Sequence, residues 1–404
     1  MSPALLAAAP HRLLFFVGAT NVLLAMAWWA AWLVSARWPG WLPPRPASAP
    51  AGWMHAIVMQ FQVLPPFIFG FLLTVFPRWL GEEPLARRHY APVGIGLFGG
   101  QLLTLAALWT GSPALLALGL CTTLGGWTLA LASLLRLLHA APKGDWHARS
   151  CAFALCLGWV GLALVLAYLA SGDARLMFAA IKFGTFGLLL PVFFTVNHRM
   201  VPFFVGCVYP NHASWRPFWL LGLFWFLVLV HLGLELVHGY AWIWLPDVPL
   251  SGLAAVCLWR WWPRGKAKPM PSLLRVLLLA FAWLPVAMAL YATQSLWFAT
   301  TGEWAYARAP AHALFIGYFG SLLVAMVTRV TQGHAGRPLV LGRTATFAFA
   351  GVQLAALVRM AGEARNDAMA WHVAAALLWL LAFLPWTLHS AGIYLRPRAD
   401  GKPG

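Results

Sequence analysis

Apolar residues do not alternate along this chain. They run in long blocks separated by short polar or proline-rich stretches. An α-helix needs about 20 mostly apolar residues to cross the hydrocarbon core of a bilayer. Blocks of that length predict helices at 12–34, 54–77, 91–110, 113–138, 150–170, 175–197, 217–237, 241–262, 272–296, 309–330, 342–361 and 368–392. The strands of a membrane barrel would instead alternate over segments of about ten residues. The expected fold is therefore all-α: a polytopic membrane protein of about twelve helices, with residues 1–404 forming one integral membrane domain. The eighth block is the weakest, because "LPDVP" (245–249) interrupts it. The longer links, 36–50 and 264–271, are proline-rich, and the first block reads as a retained helix with no clean cleavage site.

Composition agrees with the pattern. The chain is 62% hydrophobic and 9% charged, with mean hydropathy +0.76, whereas soluble domains carry about 25% charged residues. The net charge of +17 does not gather on one soluble face, so nucleic-acid binding is excluded in favour of a topology signal. Taking the N-terminus and every second link as one side, 20 of the 27 basic residues fall there. Six fall on the other side (Arg37, Arg45, Arg175, Arg308, Arg359, Arg365), and Lys182 lies inside the sixth helix. Both termini are therefore expected on the cytoplasmic side. Five cysteines without a C-x-x-C pair argue against iron–sulfur and c-type haem sites and against a disulfide framework.

A faint echo recurs every four helices: "FGFLL" (69–73), "FGLLL" (186–190) and "FGSLL" (319–323), which hints at three four-helix units. In the second and tenth helices a His-Ala pair opens the apolar block, at His55 and His312. Imidazole is the usual haem ligand and a good copper ligand, so two histidines at matching depth are a candidate haem pair. Regular helical spacing would put Met59 and Gln62 on the His55 face, and Gly317 and Gly320 would leave room for a flat ring. The bland alternative is a pair of interfacial histidines bonded to backbone or water.

Other polar positions stand out against the apolar background. His231, Glu235 and His238 share one helical face, readable as a metal site or as a polar helix end. "VTRVTQGHAGRPL" (327–339) places Arg329, His334 and Arg337 in one loop, with Arg343 beyond, and "VNHRMVPFF" carries His198. The loop reads either as an anion site, for a carboxylate or phosphate, or as an ordinary positively charged link. Lys182 is read as paired with Asp173 or Asp247, or as lining a transport path. No carboxylate is expected deep in a helix, which argues against an acidic proton relay. P-loop, G-x-S-x-G and H-E-x-x-H motifs are absent.

"HALFIGYFGSLLVAMVTRVTQGHAGRPL" (312–339) resembles the signature of the NnrS family, polytopic membrane proteins of bacterial nitric-oxide metabolism. "GFLLTVFPRWLG" (70–81) and "HRMVPFF" (198–204) are similar to two further family elements. The family usually reads H-A-H-E-M in its second helix, where this chain has "HAIVM" (55–59), and its ninth-helix histidine is absent from "LLLAFAWLP" (277–285). The resemblance implies a haem- and copper-containing protein. Here it retains the candidate haem ligands His55 and His312 and puts copper in doubt. The architecture is also similar to that of the catalytic subunits of haem–copper oxidases, in which helices two and ten hold a haem. The resemblance therefore implies b-type haem held between helices two and ten, nitric oxide or another diatomic as ligand, a role in nitrosative stress, and a bacterial inner membrane. No catalytic residue is assigned. A haem-free transporter of small solutes or anions is the alternative reading, and a non-catalytic membrane scaffold is a third.

Overall fold

The computed structural model describes residues 3–42, 49–141, 144–264 and 269–401, and among these no strand occurs. Parts of both proline-rich links, and the basic residues Arg45, Lys143, Lys266, Lys268 and Lys402, lie outside the described residues. Twelve long helices follow in order: α1 Pro10–Arg37, α2 Ala51–Leu80, α3 Arg87–Thr110, α4 Pro113–Ala140, α5 Trp146–Ser171, α6 Ala174–Val208, α7 Phe218–Leu236, α8 Trp244–Trp261, α9 Ser272–Thr301, α10 Ala309–His334, α11 Arg343–Ala364 and α12 Ala368–Tyr394. Eleven of them are long and apolar enough to cross a bilayer; the protein is a multi-pass membrane protein. The exception is α8, which carries Pro246, Asp247, Pro249 and Arg260 within 18 residues. Its predicted start at 241 belongs instead to a short 3₁₀ turn, Tyr240–Trp242.

The chain forms two compact units. Unit 1 comprises Met1–Val192, His334–Arg337 and Thr387–Gly404; unit 2 comprises Phe193–Gly333 and Pro338–Trp386.

In unit 1 the tightest pairing is α3 with α4. They are joined by a two-residue turn, in which Gly111 takes φ 72° and closes α3. A Cβ on Gly96 would lie 2.6 Å from the Cα of Gly126, and one on Gly119 would lie 2.6 Å from the Thr104 backbone nitrogen. Backbones approach this closely only where side chains are missing, which is the use of the Gly-x-x-x-Gly spacing at 96 and 100. The outward faces are apolar: Ile95 and Leu118 are exposed on α3 and α4, as lipid contact requires. Asp145 caps the start of α5, accepting from Ala148 N–H at 2.9 Å.

Three helices leave regular α geometry. α2 is π-helical over Met59–Val63, α6 over Phe183–Leu189 and α10 over Ala313–Gly320. A π turn packs an extra residue into the helix and re-aims the side chains beyond it, and such segments concentrate at functional sites. They fall in the helices that carry the Phe-Gly echo, so the interval of four has a structural counterpart.

Candidate functional site

The π segment of α2 is the hub of unit 1. Gln62 is fully buried, and its amide nitrogen donates to Thr104 Oγ1 on α3 (2.8 Å) and to Thr123 Oγ1 on α4 (2.9 Å). Its backbone carbonyl accepts from Asn21 Nδ2 on α1 (2.8 Å), and the Asn21 carbonyl accepts from Gln101 Nε2 (2.8 Å). Gln60 donates to Thr185 Oγ1 at 3.0 Å, which joins the π segments of α2 and α6. The close α3–α4 approach is what brings Thr104 and Thr123 within reach of one amide. This network has a signal in the sequence, since Asn, Gln and Thr in apolar blocks need partners; which partners they find depends on packing.

His55 stands one turn before that π segment. Its ring lies parallel to Trp29, at 4.2 Å between centroids and 10° between planes, and Trp29 stacks on Trp32. The indole stack fixes the imidazole orientation. Met59 N–H still bonds to the His55 carbonyl, as in a regular α turn, whereas Gln62 lies inside the π turn and is committed to the two threonines.

His334 and Arg337 also belong to unit 1. The His334 ring packs against His11 of α1 at 4.3 Å. Gly336 takes φ 64°, and a Cβ there would meet the Asp400 carboxylate at 2.5 Å. Ala399 N–H donates to Ala335 carbonyl (2.9 Å), while Arg398 pairs with Asp400. Arg337 exerts its charge on His389 of α12. The loop is therefore lined by α1 and the C-terminal tail. Arg329 and Arg343, expected around His334, belong to unit 2.

In unit 2, His312 immediately precedes the π segment of α10. Its Nδ1 lies 2.9 Å from the Arg308 carbonyl. A carbonyl only accepts, so Nδ1 carries the proton and Nε2 is the basic nitrogen of the ring. The space beside Gly317 and Gly320 is not a recess for a flat ring. It is filled by indoles: a Cβ would meet Trp283 at 2.5 Å and Trp379 at 2.9 Å. Trp283 Nε1 donates to Gln353, whose amide donates to Ser321. Asn197 Nδ2 donates to Tyr318 Oη within the π segment (3.1 Å). Arg329 lies with its guanidinium 3.8 Å from the centre of the Phe204 ring, so "TRV" and "VPFF" meet as a cation–π pair.

His198 is fully buried, hydrogen-bonded to the Pro217 backbone, with Phe194 and Trp261 as ring neighbours. His231 is fully buried as well. Its Nδ1 is 2.7 Å from Asp247 Oδ1 and its Nε2 is 3.7 Å from Glu235 Oε1. Asp247, in the first turn of α8, is fully buried, and Glu235, beside the end of α7, is 3% exposed. Asp247, read from the sequence as a candidate partner of Lys182, has His231 of the preceding helix as its partner. Lys182, the last residue before the π segment of α6, lies 5.2 Å from the centre of the Phe178 ring. Asp173 pairs with Arg175 at 2.8 Å, and that guanidinium holds its carboxyl below the ordinary value. Among the described residues no group of three or more His, Cys, Asp or Glu is arranged to hold a metal ion.

Motifs and positions can now be set against known families. The family model described as NnrS protein matches residues 5–398. The chain belongs to the NnrS family. The match takes in the π-bearing helices, both histidines that open them, the Arg329–Phe204 pair and the loop sealed by the tail. No curated protein matches the chain.

Proposed function

We propose that this NnrS-family membrane protein binds b-type haem through His55 and His312 and acts in the response to nitric oxide, in the inner membrane of a bacterium. The observation that carries the reading is the state of His312. With Nδ1–H held by the Arg308 carbonyl, the ring offers Nε2 as its metal-binding nitrogen in a fixed orientation, as histidine ligands require. His55 supports it from unit 1: its plane is set by Trp29, and like His312 it stands within one turn of a π segment. Held through both histidines, haem would supply one-electron chemistry, and a diatomic such as nitric oxide would have to take the place of one of them. The recess once expected at Gly317 and Gly320 forms no part of the proposal, since Trp283 and Trp379 fill it. Copper forms no part either, because Ile57 and Val58 stand at family positions for a second His and a Glu.

The test is a reduced-minus-oxidised visible spectrum and a pyridine haemochrome assay on the detergent-purified chain. A b-type spectrum that His312→Ala and His55→Ala each abolish, while both variants keep their elution profile, is the expected result. A colourless chain made with ample haem supply overturns it and leaves solute transport as the next reading.

A further inference from the structure

In unit 2 the end of α6, the link 209–217 and the end of α8 come together at one face, and none of them takes part in the haem proposal. The link is irregular backbone between two membrane helices, so it stands in water or among headgroups, because hydrocarbon does not tolerate unpaired backbone. Two bonds fix it to the end of α8. His212 Nε2 donates to the Arg260 carbonyl (3.1 Å), and Trp261 Nε1 donates to the Trp215 carbonyl (2.9 Å). A third ties the link to α6, where Arg216 donates to the Arg199 carbonyl (3.2 Å).

Indole rings then place the charges. The Arg260 guanidinium lies 5.5 Å from the centre of the Trp215 ring and 4.8 Å from that of Trp259, and Arg264 lies 4.5 Å from Trp259. Trp259 therefore holds two guanidiniums beside each other. A guanidinium held by a ring keeps its N–H fork for an acceptor of matching shape, a carboxylate or a phosphate. The rings are themselves open to the surroundings: Trp259 is 52% exposed, and Phe218 and Trp219, which follow directly on the link, are 53% and 64% exposed. Aromatic side chains of this kind at a helix end sit at the level of the headgroups.

No carboxylate of the chain's own is at hand to fill the fork. Neither 199–218 nor 257–275 contains an aspartate or a glutamate. The carboxylates of unit 2 sit at the other ends of its helices: Glu235 closes α7, Asp247 opens α8, Glu303 follows α9, and Glu363 and Asp367 stand at the α11–α12 turn. Arg216, Arg260 and Arg264 are all exposed, and among the described residues none of them forms an ion pair. A bias of basic residues to one face accounts for their sign but not for their arrangement on two indoles. We propose that this face binds an anionic phospholipid, with Arg260 and Arg264 on its phosphate and its acyl chains against Trp259, Phe218 and Trp219. A headgroup that also carries an ammonium is disfavoured, since three guanidiniums repel it and no carboxylate receives it. A soluble anion would satisfy the arginines but leave the rings uncovered. The site is independent of haem.

Native mass spectrometry of the full chain, titrated in detergent with phosphatidylglycerol, tests this. Wild type should give a saturable adduct, and phosphatidylcholine with the same acyl chains should bind far more weakly. Replacing both arginines, Arg260→Gln with Arg264→Gln, should weaken the phosphatidylglycerol adduct about tenfold or more. Arg260→Lys with Arg264→Lys keeps the charge but loses the planar fork, and should weaken it as well. Arg87→Gln with Arg88→Gln removes two exposed arginines at the start of α3, in unit 1, and should leave it unchanged. All three double variants alter exposed side chains and should keep the wild-type elution profile. Equal binding of phosphatidylcholine, an equal loss in the α3 variant, or full binding by the lysine variant overturns the proposal, because charge alone would then suffice. So does displacement of the adduct by inorganic phosphate, which would make this a site for a soluble anion.

Discussion

Gln62 shows how much of unit 1 hangs on a single amide. It contacts three other helices, through Thr104, Thr123 and the Asn21 side chain. Interhelical hydrogen bonds in membranes contribute about 0.6 kcal/mol each on average. Gln62→Leu removes two of them and leaves the Asn21 bond to the backbone, so we expect a loss of roughly 1–2 kcal/mol. It should read as a lower midpoint of thermal unfolding in detergent, and an unchanged midpoint would mean that the network does not hold the helices. The chemistry-bearing residue types were legible in the chain: histidine, arginine and glutamine in apolar blocks are costly and need partners. Their partners were not legible. His231 read as facing Glu235 and does, but Asp247 comes from another helix and is set by tertiary packing. Gly317 and Gly320 read as space, and only the fold reveals that indoles take it.

At the scale of elements, the apolar blocks locate the helices because burial in lipid leaves no other backbone solution than hydrogen bonds within the segment. The departures come from local chemistry. α2 begins at Ala51 rather than 54, and α10 runs on to His334. The three π segments have no periodicity signal, because hydrophobicity in a buried helix is high all round. The glycine seam of α3 and α4 is more readable, and it makes a firm demand. Gly100 faces Thr123, where a Cβ would come within 2.8 Å of both the Thr123 backbone nitrogen and the Gly119 carbonyl oxygen. Gly100→Val must push the helices apart and separate Thr104 and Thr123 from Gln62. We expect it to destabilise more than Gln62→Leu does, since overpacking commonly costs about 1–3 kcal/mol before the network is lost. Parallel unfolding of the two variants and their double mutant, with non-additive losses, checks this coupling.

For the whole molecule, the charge distribution makes the clearest prediction. From the bias of basic residues toward the N-terminal side we expect both ends of the chain in the cytoplasm. A C-terminal fluorescent-protein fusion should glow, and an alkaline phosphatase fusion at the same point should be inactive. The reverse result, with the N-terminus in the cytoplasm, would require an odd number of crossings, with α8 as the segment that fails to span. Its 18 residues carry two prolines, an aspartate and an arginine, so it is the natural place for the count to change.

The sealed loop at 334–337 has a further consequence for how the protein is made. Arg12, near the start of α1, donates to the carbonyls of Tyr394 (3.2 Å) and Arg396 (2.9 Å), and His11 beside it packs on His334. During synthesis α1 thus waits for residues made 384 positions later before its polar end is satisfied. Until then Arg12, which is 4% exposed in the finished fold, has nothing of its own unit's tail to bind. Translation has to run through Asp400 for the Gly336 turn to be covered. Nascent chains stalled earlier would present an open, positively charged end, the kind of unfinished surface by which quality-control proteases distinguish incomplete products from complete ones.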